Sequence, residues 1–231
     1  MIIICKFVNN YNREEYYCQL VYILCYKEKY EGMGGRLGKS GLIMLYYGNG
    51  GFRMDNVILI GIQEYIRNDY LTPIMLLVTA VGNFGAIWLL MGGLLAIFRR
   101  TREQGILSLV SILFCGGVGE CIKHIVMRPR PFLQIPELTL LGPLPHSFSF
   151  PSGHTICAFA LVFTIWRMRR GWIRIWLMAF AVVMAFSRLY LGAHYPTDVL
   201  AGLVLAYLGS TFIWCIRKKI VNVNGYGCQR N

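Results

Sequence analysis

Residues 173–214 read IRIWLMAFAVVMAFSRLYLGAHYPTDVLAGLVLAYLGSTFIW. Two apolar runs, at about 172–188 and about 196–217, are each close to the ~20 residues of one bilayer crossing. Between them lies a polar break holding Ser187, Arg188, His194 and Asp198. Ionisable groups at the end of a membrane segment are costly and need a chemical reason.

The rest of the chain has the same character. Of 231 residues 56% are hydrophobic, and the mean hydropathy is +0.50, which excludes an ordinary soluble domain. The formal charge of +12 raises nucleic acid as a partner, but the placement of the charges argues against it. Arg99, Arg100 and Arg102 form one group, Arg167, Arg169, Arg170 and Arg174 a second, and Arg217, Lys218 and Lys219 a third. Each abuts an apolar segment, as cytoplasmic loops do under the positive-inside rule. The eight cysteines include no CxxC pair. Cys115, Cys121, Cys157 and Cys215 lie in apolar segments as small hydrophobes.

Three regions are expected: an N-terminal extension at 1–53, a membrane domain at 54–220 and a tail at 221–231. The extension mixes Tyr, Gly and polar residues without periodicity, and MIIICKFV is too short for a signal-peptide core. Translation starting at Met54 accounts for it, and a weakly structured amphipathic extension is the competing view. VILIGIQEYI (57–66) has helical spacing and suits an interfacial lead-in. LTPIMLLVTAVGNFGAIWLLMGGLLAIF (71–98) is too long for one simple span, and Gly82-Asn83-Phe84-Gly85 divides it. The reading is a helical hairpin, with helix 1 from the lead-in to about 82 and helix 2 over about 84–98. Helices 3 to 6 follow at about 104–123, 153–168, 172–188 and 196–217. Helix 4 is short for a full crossing, so protein must shield one of its ends. With the basic groups on the cytoplasmic side, helices 3 and 5 run outward and helices 4 and 6 inward. Three polar stretches then meet at one membrane face.

The first is KHIVMRPRP (123–131). Pro129 and Pro131 stop a helix and force an extended turn that carries Lys123, Arg128 and Arg130. A plain membrane-flanking basic cluster is the alternative, although it lies on the wrong side for positive-inside. The second is PSGHT (151–155). Gly153 permits close backbone approach and Ser152 suits an N-cap. The free N–H groups of the first turn offer an anion site with His154 at its mouth. An ordinary capped helix explains it equally. In the third, Arg188 offers a planar fork of donors for phosphate. His194 and Asp198 stand four apart, with Pro196 favourable in the first turn of the next helix. A carboxylate on one ring nitrogen makes the other a usable nucleophile, and a His–Asp pair that merely starts a helix is the alternative. Combined, three cations, a helix N-terminus and two histidines suit phosphoryl transfer. Glu120, Glu137 and Asp198 are the acidic residues near these ends, too few for a two-metal clamp, so neither a catalytic metal nor a cofactor is expected.

K-x6-RP (Lys123, Arg130, Pro131), PSGH (Pro151 to His154) and SR-x5-H-x3-D (Ser187, Arg188, His194, Asp198) resemble the three-part signature of the type 2 phosphatidic acid phosphatase superfamily. That group includes membrane lipid phosphatases and soluble vanadium haloperoxidases. The resemblance implies an all-α, polytopic six-helix transmembrane bundle. It implies His194 as nucleophile forming a phosphohistidine, Asp198 orienting it and His154 protonating the leaving oxygen. Phosphate would be held by Lys123, Arg130, Arg188, Ser152 and Gly153. Arg128 lies outside the signature and is placed as a contact to a second phosphate or headgroup. His124 and His146 match nothing and read as loop or interface residues. The short chain resembles bacterial enzymes that dephosphorylate undecaprenyl diphosphate, with phosphatidylglycerophosphate or phosphatidate as alternative substrates. The site would face outward from the plasma membrane, with the 132–150 loop over the lipid headgroup. A vanadate-dependent peroxidase would share the anion site without these apolar spans. A non-catalytic transporter or scaffold would explain the helices but not the motifs.

Overall fold

The computed structural model describes residues 51–145 and 147–227. Expectations placed on residues 1–50, on His146 and on 228–231 lie outside that range. The chain divides into two compact units, Met1–Phe52 and Arg53–Asn231, and the second contains the bundle.

Among the described residues the elements are helical throughout. In chain order they are α1 (Gly51–Gly61), a π-helical turn (Ile62–Ile66), α2 (Leu71–Val81), a 3-10 turn (Asn83–Gly85), α3 (Ala86–Ile97), α4 (Arg102–Val126), α5 (Pro131–Gln134), α6 (Gly153–Met168), α7 (Ile173–Tyr190) and α8 (Pro196–Gly227). Three helices among these residues are long and apolar enough to cross a membrane alone, and the bent pair α2–α3 makes a fourth path. The protein is an all-α, multi-pass membrane protein.

The first expected helix is divided. Arg67 takes an extended conformation, its Nε donating to the Tyr190 carbonyl at 2.8 Å and Nη1 to the Thr139 carbonyl at 2.7 Å. The Asn68 side-chain oxygen then caps α2 by accepting the N–H groups of Tyr70 at 3.1 Å and Leu71 at 2.8 Å, satisfying donors that a helix start leaves open. The expected hairpin between helices 1 and 2 also differs. Phe84 (φ 55°) and Gly85 (φ 70°) turn left-handed in succession, but Gly85 N–H still bonds the Gly82 carbonyl at 3.0 Å. α2 and α3 are therefore joined by a kink that bends the path by 47°, where a hairpin requires reversal. α8 continues past the expected end near 217 to Gly227.

The sixteen-residue α6 is the most enclosed helix, with Ile156, Ala158, Phe159, Ala160, Leu161, Val162 and Ile165 all buried. α4, α7 and α8 pack around it, supplying the shield that its short length demands. In lipid the apolar effect does not drive helices together, so close packing of small residues and interhelical hydrogen bonds must. Ala181, Ala185 and Ala206 line this core, and Thr164 donates to Ser111 across α6 and α4 at 3.0 Å. Trp88 fills the remaining gap against Phe180, with ring centroids 5.1 Å apart. Outward, Leu77, Ile97, Leu113, Leu200 and Phe212 are exposed, as lipid-facing positions should be. The basic groups share one end, where Arg217 meets Glu103 at 2.7 Å. The end of α4 and the starts of α6 and α8 lie at the other.

The backbones of α3 and α4 come close together at Gly105. A Cβ on Gly105 would fall 2.6 Å from both Ala96 Cα and the Gly92 carbonyl, whereas one on Gly93 meets nothing within 4 Å. Gly105→Ala should cost about 1–3 kcal/mol and lower the thermal midpoint in detergent, while Gly93→Ala leaves it equal or higher.

Candidate active site

Four helix ends and one loop build the site. α4 closes with Met127 in a left-handed cap, its N–H on the Lys123 carbonyl at 2.9 Å, and Pro129 prevents the helix resuming. This turns Lys123 and Arg130 toward the starts of α6 and α8. A cavity of about 670 Å³ opens there, lined among others by Thr79, Asn83, Lys123, Arg130, Gly153, His154, Arg188 and His194. Lys123, His154 and His194 thus face one space.

Arg130 is held from several sides. It donates to the carbonyls of Ala193 and Ser147, each at 2.8 Å, and its Nη1 lies 3.2 Å from His194 Nε2. Arg188, also buried, donates to the Thr79 hydroxyl. Lys123 pairs with Glu120 at 2.9 Å. A Cβ on Gly153 would stand 3.8 Å from Lys123 Nζ, so the first turn of α6 comes close to that cation. His154 Nε2 lies 3.2 Å from the Asn83 side-chain oxygen. Two buried guanidinium groups, a lysine partnered by Glu120 and a helix N-terminus thus border one cavity, an arrangement with the chemistry to accept an anion.

His194 is buried, with Nδ1 2.7 Å from the Ser149 carbonyl. A carbonyl only accepts, so Nδ1 carries the proton and Nε2 presents its lone pair to Arg130 and the cavity. Burial, aided by the neighbouring Arg130 guanidinium, pushes the imidazole down from 6.5 to about 3, while Asp198 pulls the other way. The ring is therefore held in its neutral form, with one nitrogen protonated and the other carrying a lone pair.

Two expected site residues stand behind the wall. Asp198 is fully buried and 3.5 Å from His194 Nδ1, farther than Ser149. It accepts the Ser149 hydroxyl at 2.5 Å and the Tyr195 N–H at 2.9 Å, holding the ring through its neighbours rather than by a short bond. Ser152 occupies the N-cap position, but its hydroxyl makes no cap to the helix backbone. It accepts from Thr155 at 3.0 Å, and its N–H ties α6 to the Asp198 carbonyl at 3.1 Å. Arg128 differs most from expectation. It is 4% exposed, bound to Asp198 Oδ1 at 2.5 Å and Asp55 Oδ2 at 2.9 Å, and does not face a headgroup. His124 is exposed beside Glu120, in line with an interface residue.

Sequence reasoning missed Asp55, Thr79, Asn83 and Ser149. Thr79 and Asn83 are polar groups inside an apolar run, a signal open to reading. Ser149 works largely through its carbonyl, which no residue type encodes.

The fold and this site define a helical-bundle membrane protein with a cavity lined by cations and histidines at one end. Residues 104–221 match the PAP2 superfamily. Over 150 residues the chain is 33% identical to an undecaprenyl-diphosphatase of Sulfolobus acidocaldarius, covering 65% of this chain and 72% of that one. Over 165 residues it is 32% identical to a putative undecaprenyl-diphosphatase of Escherichia coli, covering 71% and 73%. The crystal structure of a transmembrane PAP2-type phosphatidylglycerolphosphate phosphatase from Bacillus subtilis superposes with a TM-score of 0.61 at 25% identity, covering 78% of this chain and 92% of that one. The chain belongs to the PAP2 superfamily and is a membrane phosphatase.

In an unfolded chain His194 would titrate near 6.5, and in the fold it stays neutral to about 3. The unfolded state takes up the proton first, so stability is complete above about pH 6.5 and falls as pH drops toward 3. The thermal midpoint should decline across that window more steeply in the parent than in His194→Asn.

Proposed function

We propose that the protein hydrolyses undecaprenyl diphosphate to undecaprenyl phosphate and inorganic phosphate at the extracytoplasmic face of the cell membrane, without a metal. The observation that carries this reading is the His194 geometry: a proton fixed on Nδ1, a lone pair on Nε2 and Arg130 beside it. The side assignment rests on the basic groups, which gather at the end opposite the cavity and under the positive-inside rule face the cytoplasm.

Lys123, Arg130, Arg188 and the first turn of α6 at Gly153 bind the terminal phosphate and spread the charge of its outer oxygens. His194 Nε2 attacks phosphorus, an N–P bond forms and the bridging P–O bond breaks. His154 gives its proton to the departing oxygen of the lipid monophosphate. Water then attacks the phosphohistidine, His154 takes a proton from it, and the N–P bond breaks to release phosphate. Asp198, and Ser152 through its backbone link to it, keep the two halves of the site in register. Fixed cations supply the electrostatics for which other phosphatases recruit carboxylate-bound metals.

The undecaprenyl-diphosphatase relatives, at 33% and 32% identity, support this substrate. The structural likeness to the phosphatidylglycerolphosphate phosphatase favours that lipid as a second reading. Both present a terminal phosphate on an apolar anchor, and they differ in what lies under the loop at 132–150.

Phosphate release measured side by side should give a higher kcat/KM on polyprenyl diphosphate than on phosphatidylglycerophosphate, and the reverse order establishes the second reading. Activity should survive EDTA and fall by about a thousandfold or more in His194→Asn.

A further inference from the structure

Asp55 comes from none of the three polar stretches. It sits in α1 and is 3% exposed. Its Oδ2 accepts from Arg128 Nη2 at 2.9 Å and from the Thr197 hydroxyl at 2.5 Å, and its Oδ1 from the Thr197 N–H at 3.3 Å. The Arg128 guanidinium lies 3.8 Å from the centre of the Tyr195 ring. Its Nη1 reaches Asp198 Oδ1 at 2.5 Å and the Thr197 hydroxyl at 2.7 Å. One buried guanidinium is therefore shared between two carboxylates.

Charge and geometry both give the sharing a consequence at His194. Arg128 and Asp198 alone would cancel, leaving the ring facing the guanidinium groups of Arg130 and Arg188. Among the described residues Asp55 sets a second carboxylate on the same guanidinium, which adds a negative charge behind the ring. During phosphoryl transfer Nε2 commits its lone pair to phosphorus while Nδ1 keeps its proton, so the imidazole becomes cationic. A fixed negative charge in a site shielded from water stabilises that cation more than it would in bulk solvent. The same contacts fix position. Arg128 anchors one oxygen of Asp198, the other accepts the Ser149 hydroxyl, and the Ser149 carbonyl takes the His194 Nδ1 proton.

We propose that Asp55 is a positioning residue for His194, acting through Arg128, Asp198 and Ser149, which makes α1 part of the reacting apparatus. The inference rests on the nucleophile role given to His194 above.

The test uses the full chain in nanodiscs, with kcat and KM for phosphate release from polyprenyl diphosphate and a thermal melt on each variant. Asp55→Asn should lower kcat by about 10- to 100-fold with KM held within about threefold. Asp55→Glu should fall between Asn and parent. Because the two residues act as a unit, Asp55→Asn combined with Arg128→Gln should cost less than the product of the single losses. A parental kcat in folded Asp55→Asn overturns the proposal, as does a change confined to KM or a pair of losses that multiply. Should Asp55→Asn lack a cooperative melt, Asp55→Glu decides: reduced kcat at unchanged KM supports the coupling, and parental kcat removes it. An inactive His194→Asn beside a fully active Asp55→Asn leaves the nucleophile standing and ends this inference; an active His194→Asn ends both.

Discussion

The hydrogen bond from His194 Nδ1 to the Ser149 carbonyl, at 2.7 Å, is the contact on which the rest of the site depends. It decides which ring nitrogen holds the proton and therefore which one faces the cavity. Without it the ring could rotate or change tautomer, and Nε2 would meet Arg130 and substrate as a donor. Asp198 maintains this bond at one remove through the Ser149 hydroxyl and the Tyr195 N–H. Arg128 and Asp55 extend the same buried network to α1.

The bilayer explains why the site stands where it does. Lys123, Arg130 and Arg188 would be costly among lipid tails, and they are placed at helix ends where backbone carbonyls, the Thr79 hydroxyl and the Glu120 carboxylate partner them. A helix as short as α6 reaches that level because α4, α7 and α8 enclose it. Its first turn thereby lies beside the cations instead of at the lipid surface. α2 and the turn that follows it add to the same geometry, with Thr79 reaching Arg188 and Asn83 reaching His154.

Much of this was legible in the residues. Apolar length and basic-group placement give the spanning helices and the end at which the polar stretches meet, because the membrane imposes both. Residue type and spacing bring Lys123, Arg130, Gly153, His154, Arg188 and His194 to one space, since each presents a side chain or, for Gly153, room for one. Contacts made by backbone or by partners distant in sequence were not legible. The Ser149 carbonyl leaves no trace in composition, and the fate of Arg128 depended on Asp55, a carboxylate just ahead of the segment read as an interfacial lead-in. The 47° bend was misread as a hairpin because the same glycines serve a reversal or a kink, and only hydrogen bonding separates the two.

The central claim is that His194 Nε2 forms a bond to phosphorus during turnover. Rapid quenching with lipid diphosphate bearing a labelled terminal phosphate, followed by peptide mapping at alkaline pH, tests it directly. The expected result is transient label on His194 that is stable to base and labile to acid. Label on another residue, or turnover on the same time scale with no labelled protein at all, would contradict it.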